Sequence, residues 1–308
     1  MELLKNTNYS DIRGFNYMPS NITFLRDVTD KFDESIWNRE LDYAKKLGAN
    51  TIRVWFDIDS HMYDPENFLL VFVKIIQLIG KRGMKMMPAL YNCWVDVEHP
   101  FGALHSQDMY SGNRERHYNY IKSVVSAFAE EDTIVMWDLC NEPYSFQRTA
   151  DCIEKETEFW LDLISFFHGL NPSQPLTMGT HSVVDQTPEP IYEALDVLSC
   201  HLYMGWENDT FSDTIAPHVA HANKLGKALV CTEAFQGSLS DQTRSLCIER
   251  CKQGFKAVGM GYIAFQLMAG RMVSARRDWT DTNCMPGDRG YFPFVLEDGT
   301  VREGHSIL

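Results

Sequence analysis

Two glutamates each close an apolar run that reads as a buried strand. Glu142 follows Ile134-Val135-Met136-Trp137-Asp138-Leu139-Cys140 in the motif Asn141-Glu142-Pro143, and Glu233 follows Ala228-Leu229-Val230-Cys231-Thr232. Other apolar runs end on groups that could serve such a pair. Arg53 follows Thr51-Ile52, His201-Leu202-Tyr203 follows Val197-Leu198-Ser199-Cys200, and the rings Trp55, Trp94 and Phe265 lie at or just past run ends. Trp206 and Trp279 fall in the loops that follow. Two carboxyl groups with divided roles are what cleavage of a glycosidic bond requires, because one must keep a proton and the other must be ionised. Aromatic rings suit the C–H faces of sugars.

These groups matter only if one scaffold carries all the run ends to one place. Short apolar runs alternate with longer amphipathic ones along the whole chain,. Strands are expected at 13–17, 51–56, 84–91, 133–139, 176–179, 197–202, 228–232 and 262–267. Helices are expected at 35–47, 65–80, 114–129, 152–170, 191–195, 213–225 and 240–258. Asp33 is placed to cap the first helix, and Lys45-Lys46-Leu47-Gly48 and Lys81-Arg82-Gly83 to end the first two,. Eight strand–helix steps with continuously apolar strands imply a parallel sheet covered by helices, and eight is the number that closes a (β/α)8 barrel, a TIM barrel. An open doubly wound sheet is the rival, but no Gly-rich nucleotide loop is present. In a barrel the chemistry sits at the C-terminal strand ends, where Glu142 and Glu233 are expected to meet. An eighth helix is hard to place, since the stretch after Leu267 reads mostly as loop.

The 308 residues, 44% hydrophobic and 23% charged, suit one globular domain spanning 1–308,. A formal net charge of −14 argues against nucleic acid or an anionic membrane surface as partner,. The most apolar run, 68–80, is short and carries Lys74, so no membrane span is expected,. No secretory leader pattern is visible, and eight scattered cysteines without a CxxC read as reduced thiols, which together suggest a cytoplasmic protein,. Three further groupings have ordinary readings. His218 and His221 fall on an expected surface helix without a third ligand. Cys247 and Cys251 lie one helical turn apart and read as packing. Asp57, Asp59 and His61 read as a solvated loop rather than a metal cluster.

Together these residues resemble the retaining glycoside hydrolases of the β/α-barrel superfamily that contains the family 5 cellulases and mannanases. The likeness rests on Asn141-Glu142-Pro143, Glu233, Arg53 and His201-Leu202-Tyr203, with Gly14-Phe15-Asn16-Tyr17 and Leu47-Gly48-Ala49-Asn50-Thr51-Ile52-Arg53 as further matches. It implies a β-glycoside hydrolase acting on small carbohydrate substrates, with Glu142 as acid/base and Glu233 as nucleophile. It implies that Asn141 contacts the sugar 2-hydroxyl, that Arg53 lowers the pKa of Glu233, and that Tyr203 and His201 complete the polar network. It implies no cofactor and no metal. Trp55, Trp94, Trp206, Phe265 and Trp279 are candidate sugar platforms. Two positions depart from the superfamily: Asn92-Cys93 stands where a histidine is usual, and Phe265 where a tryptophan is usual. A weakly active or inactive barrel that only binds carbohydrate is the alternative.

Overall fold

The computed structural model describes residues 2–93, 113–144, 150–180, 187–203, 211–276 and 291–308. Eight parallel strands, β1 (Arg13–Tyr17), β2 (Thr51–Trp55), β3 (Lys85–Asn92), β4 (Trp137–Asn141), β5 (Leu176–Gly179), β6 (Val197–Leu202), β7 (Ala228–Ala234) and β8 (Gly261–Ala264), follow the spatial order β5-β4-β3-β2-β1-β8-β7-β6. Two backbone hydrogen bonds, Asp196 N to Leu176 O at 3.0 Å and His201 N to Thr180 O at 3.1 Å, link β5 to β6 where the ladder is not continuous. The sheet is thereby a nearly closed (β/α)8 barrel. No described helix is long and apolar enough to cross a membrane.

Helices cover the outside. They are α1 (Asp27–Asp30), α2 (Glu34–Lys46), α3 (Ile58–Tyr63), α4 (Pro65–Gly80), α5 (Glu115–Ala127), α6 (Ala150–Gly169), α7 (Glu189–Ala194), α8 (Phe211–Leu225) and α9 (Asp241–Val258). Local chemistry sets several of their ends. Asp33 accepts from the backbone N–H groups of Ser35 and Ile36, Asp64 accepts from Asn67 ahead of Pro65, and α9 stops on Gly259 at φ 74°,. The main core lies between helices and sheet, with Trp37, Trp137 and Trp160 among its largest fully buried side chains. A smaller apolar cluster, Ile12, Met87, Met136, Val197, Ala228, Val230 and Ile263, is made mostly of strand residues and contributes to the filled barrel interior,.

Several expectations change. The strand expected from residue 133 begins at Trp137, because 131–133 form a turn and Ile134 makes only an isolated bridge to Met86. Strand eight ends at Ala264, before Phe265. The loop thought to hold Asp57, Asp59 and His61 is helix α3, with Asp57 as its N-cap and His61 buried. His218 and His221 are buried rather than on a surface, and His221 bonds Glu189 at 2.8 Å. Cys247 and Cys251 are free buried thiols, as packing requires.

No α-helix follows β8 among the described residues. Instead, residues 291–308 fold back against the barrel. Arg244 of α9 donates to the carbonyls of Phe265 (3.0 Å) and Pro293 (2.8 Å), and the Tyr262 hydroxyl to that of Ile307 (2.8 Å).

Gly254 inside α9 shows how tight the outer layer is. A Cβ there would fall 2.1 Å from the Phe211 ring. An exposed helix Gly→Ala change normally stabilises, by about 0.4–1 kcal/mol. Gly254→Ala is expected to reverse that sign, destabilising by about 1–3 kcal/mol through overpacking. Urea unfolding measures the difference, and a stabilised variant would contradict this packing.

Candidate active site

The site grows around Arg53. On β2 its side chain points into the barrel and is fully buried. Nε donates to Asp138 Oδ2 at 2.8 Å, and Nη2 lies 2.7 Å from the same oxygen. Nη1 donates to Glu233 Oε1 at 2.8 Å and to Asn16 Oδ1 at 2.7 Å. Nη2 also donates to Asn141 Oδ1 at 2.8 Å. The guanidinium therefore ties β1, β4 and β7 to β2. Asn16 passes the connection on to the Thr232 carbonyl at 2.8 Å, and Asn141 to Asn92 Oδ1 at 2.9 Å.

Strand register explains why these groups meet. Asn16 lies opposite Arg53, Asn92 opposite Asn141, and His201 opposite Glu233. Strict alternation would send Asp138 and Asn141 to opposite faces, since they are three residues apart,. The β4–β5 register shifts between them, and similar shifts fall between Cys200 and His201 on β6 and between Cys231 and Ala234 on β7. Such irregularities re-aim side chains.

The backbone is strained at the same places. Glu142 has φ 50°, Tyr144 φ 62° and Phe235 φ 76°, all in the left-handed region disfavoured for residues with a Cβ,. Glu142 is held there by its N–H, which donates to the Gly179 carbonyl at 2.7 Å, and Tyr144 by its N–H to Glu156 at 3.1 Å. Gly179 has no room for a side chain. A Cβ would lie 2.8 Å from Arg53, 3.1 Å from His201 and 3.2 Å from Asp138.

The two glutamates have different partners. Glu233 accepts from Arg53 on one oxygen and from the Tyr203 hydroxyl on the other. Glu142 meets His201 Nδ1 at 2.7 Å, and the same nitrogen is 3.5 Å from Glu233. One ligand-type atom from each of Glu142, His201 and Glu233 lies within 4.8 Å of the others, a spacing that could also hold a cation. Both Glu233 oxygens are already engaged by Arg53 and Tyr203.

Burial pushes the Glu142 carboxyl well up, and the charge of Glu233 adds to that rise. The expectation that Arg53 lowers the pKa of Glu233 holds only as one contribution. Burial raises Glu233 overall, and the Arg53 charge and Tyr203 hydroxyl oppose it. Desolvation wins because Glu233 is only 3% exposed,. The Arg53 charge and the Tyr203 hydroxyl favour ionised Glu233, whereas the Glu233 charge adds to the rise of Glu142, so Glu233 is the more acidic of the two.

Aromatic rings flank this network. The Arg53 guanidinium carbon lies 5.4 Å from the Trp55 ring, and Trp55 lies 6.0 Å from Phe265. Phe265 contacts Tyr203 at 5.9 Å and Phe292 at 5.1 Å. The structure thus brings together Glu142, Glu233, Arg53, Asn141, His201, Tyr203, Trp55 and Phe265. Trp94, Trp206 and Trp279 lie outside the described residues. Sequence reasoning passed over Asn16, Gly179 and Phe292, and it read Asp138, inside a strand, as structural rather than catalytic. A charged residue inside an apolar strand, as Asp138 is, was the available signal, because a buried charge needs a partner.

A parallel barrel with two buried carboxyls, Glu142 and Glu233, brought together at its C-terminal strand ends is an architecture found among barrel glycoside hydrolases,. The sequence profile of the cellulase family, glycosyl hydrolase family 5, matches residues 11–266, and the chain belongs to that family. A pig (Sus scrofa) beta-glucuronidase is 24% identical over 184 residues, covering 59% of this chain and 24% of that protein. A probable mannan endo-1,4-beta-mannosidase C of Aspergillus terreus is 26% identical over 125 residues, 35% of this chain and 31% of the relative. The chain thus spans about a quarter to a third of these relatives. An exo-beta-1,4-mannosidase from Opitutaceae bacterium strain TAV5 shares the fold at TM-score 0.74 and 16% identity, over 94% of this chain and 57% of that one. A GH5_18 protein of Streptomyces cattleya, solved with GlcNAc, does so at TM-score 0.69 and 13% identity, over 94% and 77%.

The raised Glu142 pKa has a consequence for stability. Between the ordinary carboxyl range and its raised native value, the folded chain holds a proton that the unfolded chain has lost, so stability falls as pH rises. Glu142→Gln removes that loss. Its melting temperature relative to wild type is expected to climb as pH rises above the ordinary carboxyl range,. Thermal melts across that window test this, and a constant or shrinking difference would mean Glu142 does not titrate this way.

Proposed function

We propose that this protein is a retaining β-glycoside hydrolase. The observation that carries the reading is the close approach of Glu142 and Glu233, one carboxylate oxygen of each lying within 4.8 Å of the other, with unequal surroundings. Retaining pairs stand about 5–5.5 Å apart and inverting pairs about 6.5–9.5 Å, so the spacing favours the former. Protonated Glu142 donates its proton to the glycosidic oxygen as the bond to the anomeric carbon breaks. Ionised Glu233 attacks that carbon and forms a glycosyl ester. Glu142, now a carboxylate, then takes a proton from water, whose oxygen displaces Glu233 and restores both groups. Asn141 is assigned to the sugar 2-hydroxyl, Tyr203 and Arg53 to orienting Glu233, and His201 to the Glu142 carboxyl. Trp55 and Phe265 are assigned to the sugar face, with Trp94, Trp206 and Trp279 kept as candidate sugar platforms.

Small β-linked oligosaccharides or glycosides are the proposed substrates. The named activities of the relatives make β-mannosides, β-glucosides and β-glucuronides the first to try. We assign the chain to the cytoplasm as one catalytic domain, a reading supported by the free thiols of the six described cysteines Cys93, Cys140, Cys200, Cys231, Cys247 and Cys251.

On aryl β-glycosides, Glu142→Ala and Glu233→Ala are expected to lose activity by a factor of about 10⁴ or more. Azide should rescue the first by forming a β-glycosyl azide and the second by forming the α-anomer. Proton NMR of the wild-type reaction should show the β-anomer as first product. An α-anomer would exclude retention. A wild type no faster than its variants on every substrate would leave a carbohydrate-binding barrel.

A further inference from the structure

Arg53 serves two carboxylates at once. Asp138 takes Nε and Nη2, while Glu233 takes Nη1. All three groups are buried, at 0%, 0% and 3% side-chain exposure. One positive charge is therefore divided between two negative ones, and the trio carries a net −1. Without Asp138 it would be neutral. Burial raises the Asp138 pKa, and the Arg53 charge and backbone N–H groups oppose that rise. Oδ2 accepts from Arg53 and Oδ1 from the Gly179 N–H at 2.9 Å, with a further backbone bond from Cys140. These are N–H donors, so the ionised form is the bonded one.

The same residue reaches Glu142 by a second route. Gly179 takes Asp138 on its N–H and receives the Glu142 N–H on its carbonyl. Asp138 thus anchors the short segment that holds Glu142 at positive φ. Other buried charges in the chain do different work. Glu40 ties α2 to Tyr17 and Ser20, and Arg244 binds backbone carbonyls behind the barrel.

We propose that Asp138 is a positioning residue that sets the protonation of the catalytic pair through Arg53: its fixed charge keeps Glu142 protonated and stops Arg53 from making Glu233 too weak a nucleophile. This rests on the glycosidase reading for its purpose, but not for its electrostatics. The groups facing Arg53 are Asn16 from β1, Asp138 and Asn141 from β4, Glu233 from β7 and the Trp55 ring from β2. Among the described residues, those facing Glu142 include His201 and Tyr203, Glu233, Arg53 and Cys93. Removing the Asp138 charge leaves Arg53 to Glu233 alone, so both glutamates should become more acidic.

The test reads the carboxyls directly. Full-length protein labelled with [δ-13C]glutamate is titrated by NMR, with Glu142→Gln and Glu233→Gln assigning the signals. In Asp138→Asn both midpoints should fall, by about one pH unit, and both limbs of the kcat/KM profile should move the same way. Asp138→Ser removes the charge but leaves an acceptor for Gly179, and should shift them likewise if the asparagine variant does not fold. Unmoved midpoints in a folded charge-free variant, even with a lower melting temperature, would overturn the proposal. So would both charge-free variants failing to fold while Asp138→Glu folds, which would make the residue structural only. Shifted midpoints in a protein that cleaves no aryl β-glycoside would uphold the proposal and sink the glycosidase reading instead. Turnover with unmoved midpoints would do the reverse.

Discussion

The interaction on which the rest depends is the burial of the Arg53 guanidinium at the centre of the barrel. A charge removed from water must be matched nearby, and breaking such a buried pair costs roughly 3–5 kcal/mol. This fully buried arginine is matched by Asp138 and Glu233, with Asn16 and Asn141 accepting its remaining directed hydrogen bonds. Four strands are thereby held in one register at the level where the glutamates emerge. The arginine is a structural bolt and an electrostatic control together, because a guanidinium has several donors in a rigid plane and does not lose its proton.

Around this bolt the fold departs from ideal geometry in a consistent way. Register shifts on β4, β6 and β7 and left-handed residues at Glu142, Tyr144 and Phe235 fall next to the two carboxyls. Of the four left-handed non-glycine residues described, three cluster at the mouth and Asn171 lies in the loop before β5, and such clustering is what a strained functional site looks like,. Gly179 shows the same pressure as an absent side chain, since the network occupies the space a Cβ would take. The far wall is built differently. Where an eighth helix could have packed, residues 291–308 return, and Arg244 and Arg302 fasten the carbonyls of Tyr291 and Pro293. That anchorage brings Phe292 against Phe265 and Tyr203, so the aromatic side is completed by chain remote from every strand.

Much of this was legible in the chain. Alternating apolar and amphipathic segments set the strand–helix order, because burial on both faces requires continuous apolar strands. Polar residues closing those strands, Arg53, Asn141, Glu142, His201, Tyr203 and Glu233, marked the cluster that the barrel brings together, because an ionisable group at the end of a buried run must face either solvent or a partner. The errors came where local pattern carries no information about depth. His61, His218 and His221 sit in polar or mixed stretches, yet tertiary packing buries them. Asp138 read as a structural residue without a named partner, because that partner, Arg53, lies on another strand and is invisible to periodicity.

Composition, spacing and strand-end chemistry by themselves determined the barrel class, the family likeness and which two glutamates to pair. Tertiary structure alone decided that Arg53 divides its charge between Asp138 and Glu233, that Glu142 stands on a strained backbone braced by Gly179, and that Phe292 joins the aromatic wall. The reason is physical. Side-chain type and periodicity are local properties of the chain, whereas a pKa, a shared charge and a close approach depend on distances between residues far apart in sequence, which exist only once the barrel has closed.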